Sequence, residues 1–106
     1  MPYSLSAKQA KVAKKLCTAL LKEAGGASAV ANSLGSKRQY IFTDMAQGYV
    51  PLKRVYDICT LLNVSPWALS YVKLAQVFGE QAPQLKSVIQ ESPLLTSKKK
   101  ELLADL

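Results

Sequence analysis

The chain contains no histidine and little else that supports catalysis or metal binding. Its two cysteines, Cys17 and Cys59, form no Cys-x-x-Cys pair, so a four-ligand zinc site cannot be assembled. We expect two reduced thiols in a hydrophobic core, no metal and no cofactor. The carboxylates are scattered one at a time and no glycine-rich phosphate loop is present, so the sequence indicates neither an enzyme nor a small-molecule substrate.

Long apolar runs are also absent. The longest, such as residues 19–21 and 40–42, contain three residues, whereas a membrane-spanning helix needs about 20. We therefore expect no membrane partner. Residues 1–4 include no apolar signal-peptide region, and the expected location is the cytoplasm.

Positive charge is what the chain has in excess. Lysine and arginine total 14 against 7 acidic residues, which gives a net charge of +7 in 106 residues. Such a surplus favours a polyanionic partner because it accelerates encounters with phosphate-rich surfaces. It can equally serve only to keep a small protein in solution, so the charge alone leaves both interpretations open.

The spacing of apolar residues predicts helices and no strand. We predict helices over about residues 6–24, 27–34, 36–46, 51–62 and 66–78, with one or two short helices that open at Pro83 and at Ser92. Asn63 is expected to end the fourth helix in a left-handed conformation, and Ser65 to be the N-cap of the fifth. The fourth helix is expected to bury Leu52, Val55, Cys59 and Leu62, and the helix after Pro83 to carry Leu85, Val88 and Ile89 on one face. The expected fold is all-α, a compact bundle of about five helices containing a helix-turn-helix. Residues 1–80 would form the DNA-binding domain and residues 81–106 a helical extension.

Residues 27–46 have the pattern of a helix-turn-helix. Ala31 is the small residue expected where the two helices cross, and Gly35 can adopt the left-handed turn between them. The inward faces are predicted to comprise Val30, Leu34, Ile41 and Met45. We expect Ser36 to be the N-cap of the second helix, which then carries the recognition residues.

The outer face of this second helix has side chains suited to DNA. We predict base contacts from Arg38, Gln39, Phe42 and Thr43. We predict contacts to the phosphate backbone from Ser28, Ser36, Lys37, Lys53 and Arg54. Glutamine can pair bidentately with adenine, arginine with guanine, and an aromatic ring can pack on a thymine methyl group.

The segment resembles the lambda-repressor-like superfamily, and within it the Cro-like and YdaS-like regulators of phages and prophages. The residues that carry the resemblance are Gly25, Gly26, Ala31, Leu34, Gly35, Ile41, Gly48, Val50 and Pro51, followed by residues 52–66, which end in Asn-Val-Ser-Pro. It covers about residues 20–69. The resemblance implies a bundle of four or five helices whose third helix recognises operator DNA in a dimer.

Two positions depart from the pattern of these regulators. Ser36 stands where an apolar residue is usual after the turn glycine, and Asp44 stands at an inward position that is usually apolar or aromatic. Asp44 leaves the rotation of the recognition helix open by about one residue. Tyr40 is accordingly expected either to be half-buried or to face DNA.

These observations predict a sequence-specific regulator that binds double-stranded operator DNA as a homodimer, most simply a Cro-type repressor. The alternative is an antitoxin-like or anti-repressor module whose partner is another protein, and RNA binding is a third reading that lacks an aromatic stacking platform. The leucine-rich residues 83–106 are expected to hold the dimer together, because an exposed apolar tail would need a cover. The other possibility is that this tail folds back on its own chain.

Overall fold

The computed structural model describes residues 5–106, so the expectation drawn from residues 1–4 lies outside it. This part of the chain is all-α, as predicted, and contains no strand. Its helices are α1 (Ala7–Glu23), α2 (Gly26–Leu34), α3 (Arg38–Gln47), α4 (Leu52–Leu62), α5 (Pro66–Phe78), α6 (Leu85–Glu91) and α7 (Thr96–Ala104), with a short 3-10 turn at Gly79–Gln81. None of the helices in the described range is long and apolar enough to cross a membrane.

Helix α1 is the central element of the bundle. Its start is fixed by Ser6, whose hydroxyl accepts a hydrogen bond from the Gln9 amide at 3.1 Å while the Gln9 side chain accepts one from the Ser6 amide. Its buried residues recur at helical spacing and are Val12, Ala13, Leu16, Cys17, Leu20 and Leu21. This stripe packs against α2, α3, α5, α6 and α7, which makes α1 the helix around which the others assemble.

Helices α4 and α5 begin and end close to the predicted positions. Asn63 ends α4 in the left-handed conformation, and Ser65 caps α5 by accepting a hydrogen bond from the Trp67 amide. Within α4, Val55, Ile58 and Cys59 are buried. The expectation that Leu52 would be buried with them is wrong, because the first turn of α4 is only partly covered and Leu52 is exposed.

Helix α5 is kinked at Ser70, whose backbone departs from helical geometry. The side chain of Ser70 is buried and its hydroxyl donates to the carbonyl of Val50, while the Val50 amide donates to the Leu69 carbonyl at 3.0 Å. The kink therefore provides both hydrogen bonds that attach the α3–α4 connection to α5.

The C-terminal helices fold back on α1 and α5. Most apolar side chains of this segment join the same core as α1, namely Leu85, Val88, Ile89, Leu94 and Leu102. The expectation that the apolar side chains of residues 83–106 need a second subunit to cover them is wrong for these five, because their own chain covers them. Helix α7 also begins later than Ser92, since the Ser92 hydroxyl donates to the Ile89 carbonyl at the end of α6.

Candidate nucleic-acid interface

Helices α2 and α3 form the predicted helix-turn-helix. Gly35 ends α2 in the left-handed conformation, with φ 65°, and the Ser36 amide donates to the carbonyl of Ala31 at 2.9 Å. Ala31 is buried where α2 packs on α3, in agreement with its prediction as the small crossing residue. The turn therefore depends on a glycine conformation and on a small residue one turn earlier.

The prediction of Ser36 as the N-cap of the recognition helix is wrong. Helix α3 begins at Arg38, and Lys37 is its N-cap without a side-chain hydrogen bond. The reason is that the amide of Ser36 closes the end of α2, so this residue belongs to the turn. Ser36 is half-buried there.

Helix α3 turns one face to the core and the other to solvent. Ile41 and Asp44 are fully buried, while Met45 and Leu34, predicted to point inward, are half-buried. All four predicted base-contacting residues lie exposed on the opposite side: Arg38, Gln39, Phe42 and Thr43. The Thr43 hydroxyl donates to the Gln39 carbonyl within α3 at 2.9 Å.

Tyr40 lies at the edge of this exposed face. Its side chain is 48% exposed, and the guanidinium of Arg54 lies 5.3 Å from the centre of its ring. Tyr40 is therefore half-covered by α4 and still borders the outer face of α3. Phe42 is 54% exposed and has no such neighbour among the ring contacts of residues 5–106.

A buried ion pair fixes the rotation of α3. The Asp44 side chain is fully buried, and its Oδ1 accepts hydrogen bonds from Arg54 of α4 and, at 3.4 Å, from Gln47. Asp44 Oδ2 and Arg54 Nε have no hydrogen-bond partner among the described residues. Burial raises the pKa of Asp44, and the Arg54 guanidinium opposes that rise.

This pair gives Arg54 a role different from the predicted phosphate contact. Its guanidinium joins α4 to the inward side of α3, and its side chain is only 24% exposed. The sequence held one signal for the pair, an aspartate at an inward position of a helix, because a buried carboxylate requires a cationic partner. Sequence spacing alone did not indicate that the partner was ten residues further along the chain.

The other predicted phosphate contacts lie at helix starts. Ser28 is exposed in the first turn of α2, Lys37 precedes α3, and Lys53 is exposed in the first turn of α4. Neither α2 nor α3 has a side-chain cap or an acidic residue in its first turn. Amide groups at such helix starts are suited to bind phosphate oxygens.

The two thiols play no part in this surface. Cys17 and Cys59 are buried and unbonded. Burial raises the pKa of Cys17 to about 12, with further contributions from Asp44 and Cys59, and raises the pKa of Cys59 to about 11. Within residues 5–106 no group of histidine, cysteine or acidic side chains is arranged to hold a metal ion.

No protein-family model, no curated protein and no solved structure matches this chain. The evidence for function therefore comes from the geometry and chemistry of residues 25–54.

Proposed function

We propose that this protein is a sequence-specific regulator of transcription that binds double-stranded DNA in the cytoplasm, as a Cro-type repressor of the lambda-repressor-like kind. The observation that carries the proposal is the outer face of α3, where Arg38, Gln39, Phe42 and Thr43 are all exposed beyond a glycine turn. Such a set of paired donors, acceptors and apolar groups has little use on a surface that faces only water.

The dimensions and chemistry of α3 suit the major groove. The groove of B-DNA is about 12 Å wide and admits one α-helix. Arg38 and Gln39 lie in the first turn of α3, the end that approaches base edges in helix-turn-helix proteins. Their side chains can pair bidentately with guanine and adenine, while Phe42 and the methyl group of Thr43 can pack on thymine methyl groups.

Phosphate contacts would orient α3 in the groove. Lys37, Ser28 and Lys53 lie at the starts of α3, α2 and α4, and Ser36 lies in the turn between α2 and α3. Contacts of this kind fix position and contribute most of the sequence-independent affinity. Arg54 is not part of this group, because its guanidinium pairs with Asp44.

We further propose that the protein binds a palindromic operator as a homodimer. A recognition helix of 10 residues can contact only a few base pairs, and two copies related by a two-fold axis contact half-sites about 34 Å apart. The core residues of α6 and α7 are not available for this interface, since they are buried in their own chain. Sedimentation of the protein with and without a selected duplex would give the stoichiometry.

The proposal is tested by selecting bound sequences from a random duplex pool and then measuring fluorescence anisotropy. We expect enrichment of a symmetric site, bound at least about a thousandfold more tightly than random duplex. Single-stranded DNA and RNA of the same sequence should bind more weakly than the duplex. Failure to enrich any sequence, or equal affinity for duplex, single strand and RNA, would contradict the proposal.

A further inference from the structure

A second surface of the molecule combines positive charge with apolar side chains. A groove of about 640 Å³ runs between α1, the C-terminal end of α3 and the segment that leads into α7. Its lining includes five lysines, Lys11, Lys14, Lys15, Lys22 and Lys98, and a floor that includes Ala19, Met45, Leu94 and Leu95. We call this surface the α1–α7 groove.

The floor of the α1–α7 groove is apolar and open to solvent. Leu95 is 68% exposed, the largest exposed fraction of any leucine described. Gly48 also lines the groove, and Lys14 packs directly over it. An isolated exposed leucine is ordinary, but a leucine in a concave surface beside Met45 and Ala19 can bury an apolar side chain from another molecule.

The rim of the groove carries excess positive charge. The lining contains five lysines but only two acidic residues, Glu23 and Glu101. Among the described ion pairs, Lys98 pairs with Glu101 at 3.5 Å and Lys15 with Asp105 at 3.2 Å. No ion pair is formed within residues 5–106 by Lys11, Lys14 or Lys22. Several like charges around one concavity attract an anionic partner.

We propose that the α1–α7 groove binds an acidic amphipathic helical segment of another protein. The apolar residues of that segment would pack on Leu95, Met45 and Ala19, and its carboxylates would pair with Lys11, Lys14 and Lys22. From Lys11 to Lys22 the rim extends about 16 Å along α1, which matches about three turns of a bound helix. This interaction is additional to DNA binding by the N-terminal part of α3.

The groove fits this occupant better than it fits DNA or a second copy of the chain. A phosphate backbone would use the lysines but leave the apolar floor without a partner, since its contacts are polar and charged. A second copy carries the same charge of +7 and is repelled by the rim. An occupant with both carboxylates and apolar side chains satisfies both parts of the surface.

The probe for the test is a fluorescein-labelled synthetic peptide of about 16 residues, roughly four helical turns, with leucines at i, i+3, i+4 and i+7 and glutamates elsewhere. A scrambled peptide of the same composition keeps the charge and loses the apolar stripe. By fluorescence anisotropy with the full-length protein, we expect saturable binding of the amphipathic peptide and about tenfold weaker binding of the scrambled one. Amide shifts in ¹⁵N spectra should concentrate at residues 11–22, 45–48 and 94–98.

Exposed groove residues allow variants that leave the core intact. Lys11→Glu, Lys22→Glu and Leu95→Ser should each weaken peptide binding about tenfold, since each removes one part of the complementary surface. Lys86→Glu on α6 and Val77→Ser on α5 are matched controls, because both residues are exposed and neither lines the groove. These controls should change the peptide affinity less than about twofold. Circular dichroism would confirm that all five variants keep their helices.

Three results would overturn the proposal. One is the absence of saturable peptide binding, and another is equal binding of the scrambled peptide, which would mean charge attraction alone. The third is a loss of duplex DNA affinity in Leu95→Ser and Lys22→Glu as large as the loss of peptide affinity. That result would make the groove an extension of the DNA surface.

Discussion

At Gly48 the chain has no room for a side chain. Its backbone is left-handed, with φ 83°, and a Cβ atom there would overlap the side chain of Lys14 on α1. Gly35 is also left-handed, but a Cβ atom added there would have no other atom within 4 Å. The two glycines therefore separate the cost of an unfavourable backbone from the cost of a steric clash.

We predict that Gly48→Ala lowers the free energy of unfolding by about 3 kcal/mol and that Gly35→Ala lowers it by about 1–2 kcal/mol. The smaller figure is the cost of the left-handed conformation for alanine, and the difference is the cost of displacing α1 from the α3–α4 connection. Urea unfolding followed by circular dichroism would measure both. Equal losses for the two variants would show that Lys14 moves aside freely.

Lys37 has a proposed role that is purely electrostatic, a contact to the phosphate backbone at the start of α3. Lys37→Ala should weaken binding to selected and random duplexes by the same factor and reduce the salt slope of the affinity by about one unit. The loss is uniform because a phosphate contact is independent of sequence. Anisotropy titrations between low and moderate salt give the slope, with Lys86→Ala as the control of equal charge change. A slope like that of the control would contradict the assignment.

At the scale of elements, the Asp44–Arg54 ion pair links α3 to α4. We predict that Arg54→Met lowers the free energy of unfolding by about 3 kcal/mol at neutral pH, because it leaves the Asp44 carboxylate buried without a cation. The pKa of Asp44 in the folded protein is already raised by burial, and the substitution removes the group that opposes this rise.

The pH dependence of this variant has a definite sign. A carboxyl group whose pKa is higher in the folded state binds its proton more readily when folded, so stability is lost as pH rises through that pKa. Arg54→Met should therefore regain stability relative to the parent protein as pH falls from 7 towards the ordinary pKa of aspartate. Urea unfolding at a series of pH values measures this. A constant difference across the series would mean that Asp44 does not titrate in this window.

The sequence predicts helix ends best where the capping residue interacts only with residues close to it in the chain. The prediction of Asn63 and Ser65 as caps is confirmed, because a left-handed asparagine and a serine before proline act within a few residues. The prediction of Ser36 and Ser92 as starts of helices is wrong. Both serines instead donate hydrogen bonds to carbonyl groups at the end of the preceding helix. This role depends on where the preceding helix ends.

At the scale of the whole molecule, the spacing of apolar residues does not predict which surface residues 83–106 pack against. Periodicity correctly indicated apolar faces at Leu85, Val88 and Ile89, but it carries no information about what covers them. Helices α1 and α5 provide that cover. The outer face of α3 is predictable to within about one residue of rotation, because the positions of Gly35 and Ala31 indicate which side of α3 faces outward. The buried Asp44–Arg54 pair fixes the remaining rotation.

Ile89→Ala tests whether residues 83–106 are buried in the core of their own chain. Ile89 is fully buried in the common core, so its truncation should lower the free energy of unfolding by about 2–5 kcal/mol. The native oligomeric state, measured by sedimentation, should not change. Dissociation of a dimer by this variant with little loss of stability would instead locate the interface on α6.

The central claim is that the outer face of α3 recognises bases, and Gln39 tests it most directly. Against a duplex selected from a random pool, Gln39→Ala should cost about 1–3 kcal/mol of binding free energy, with little change on random duplex. Gln76→Ala, an exposed glutamine on α5, is the matched control and should alter neither affinity. An equal loss on both duplexes, or no loss on either, would contradict the claim.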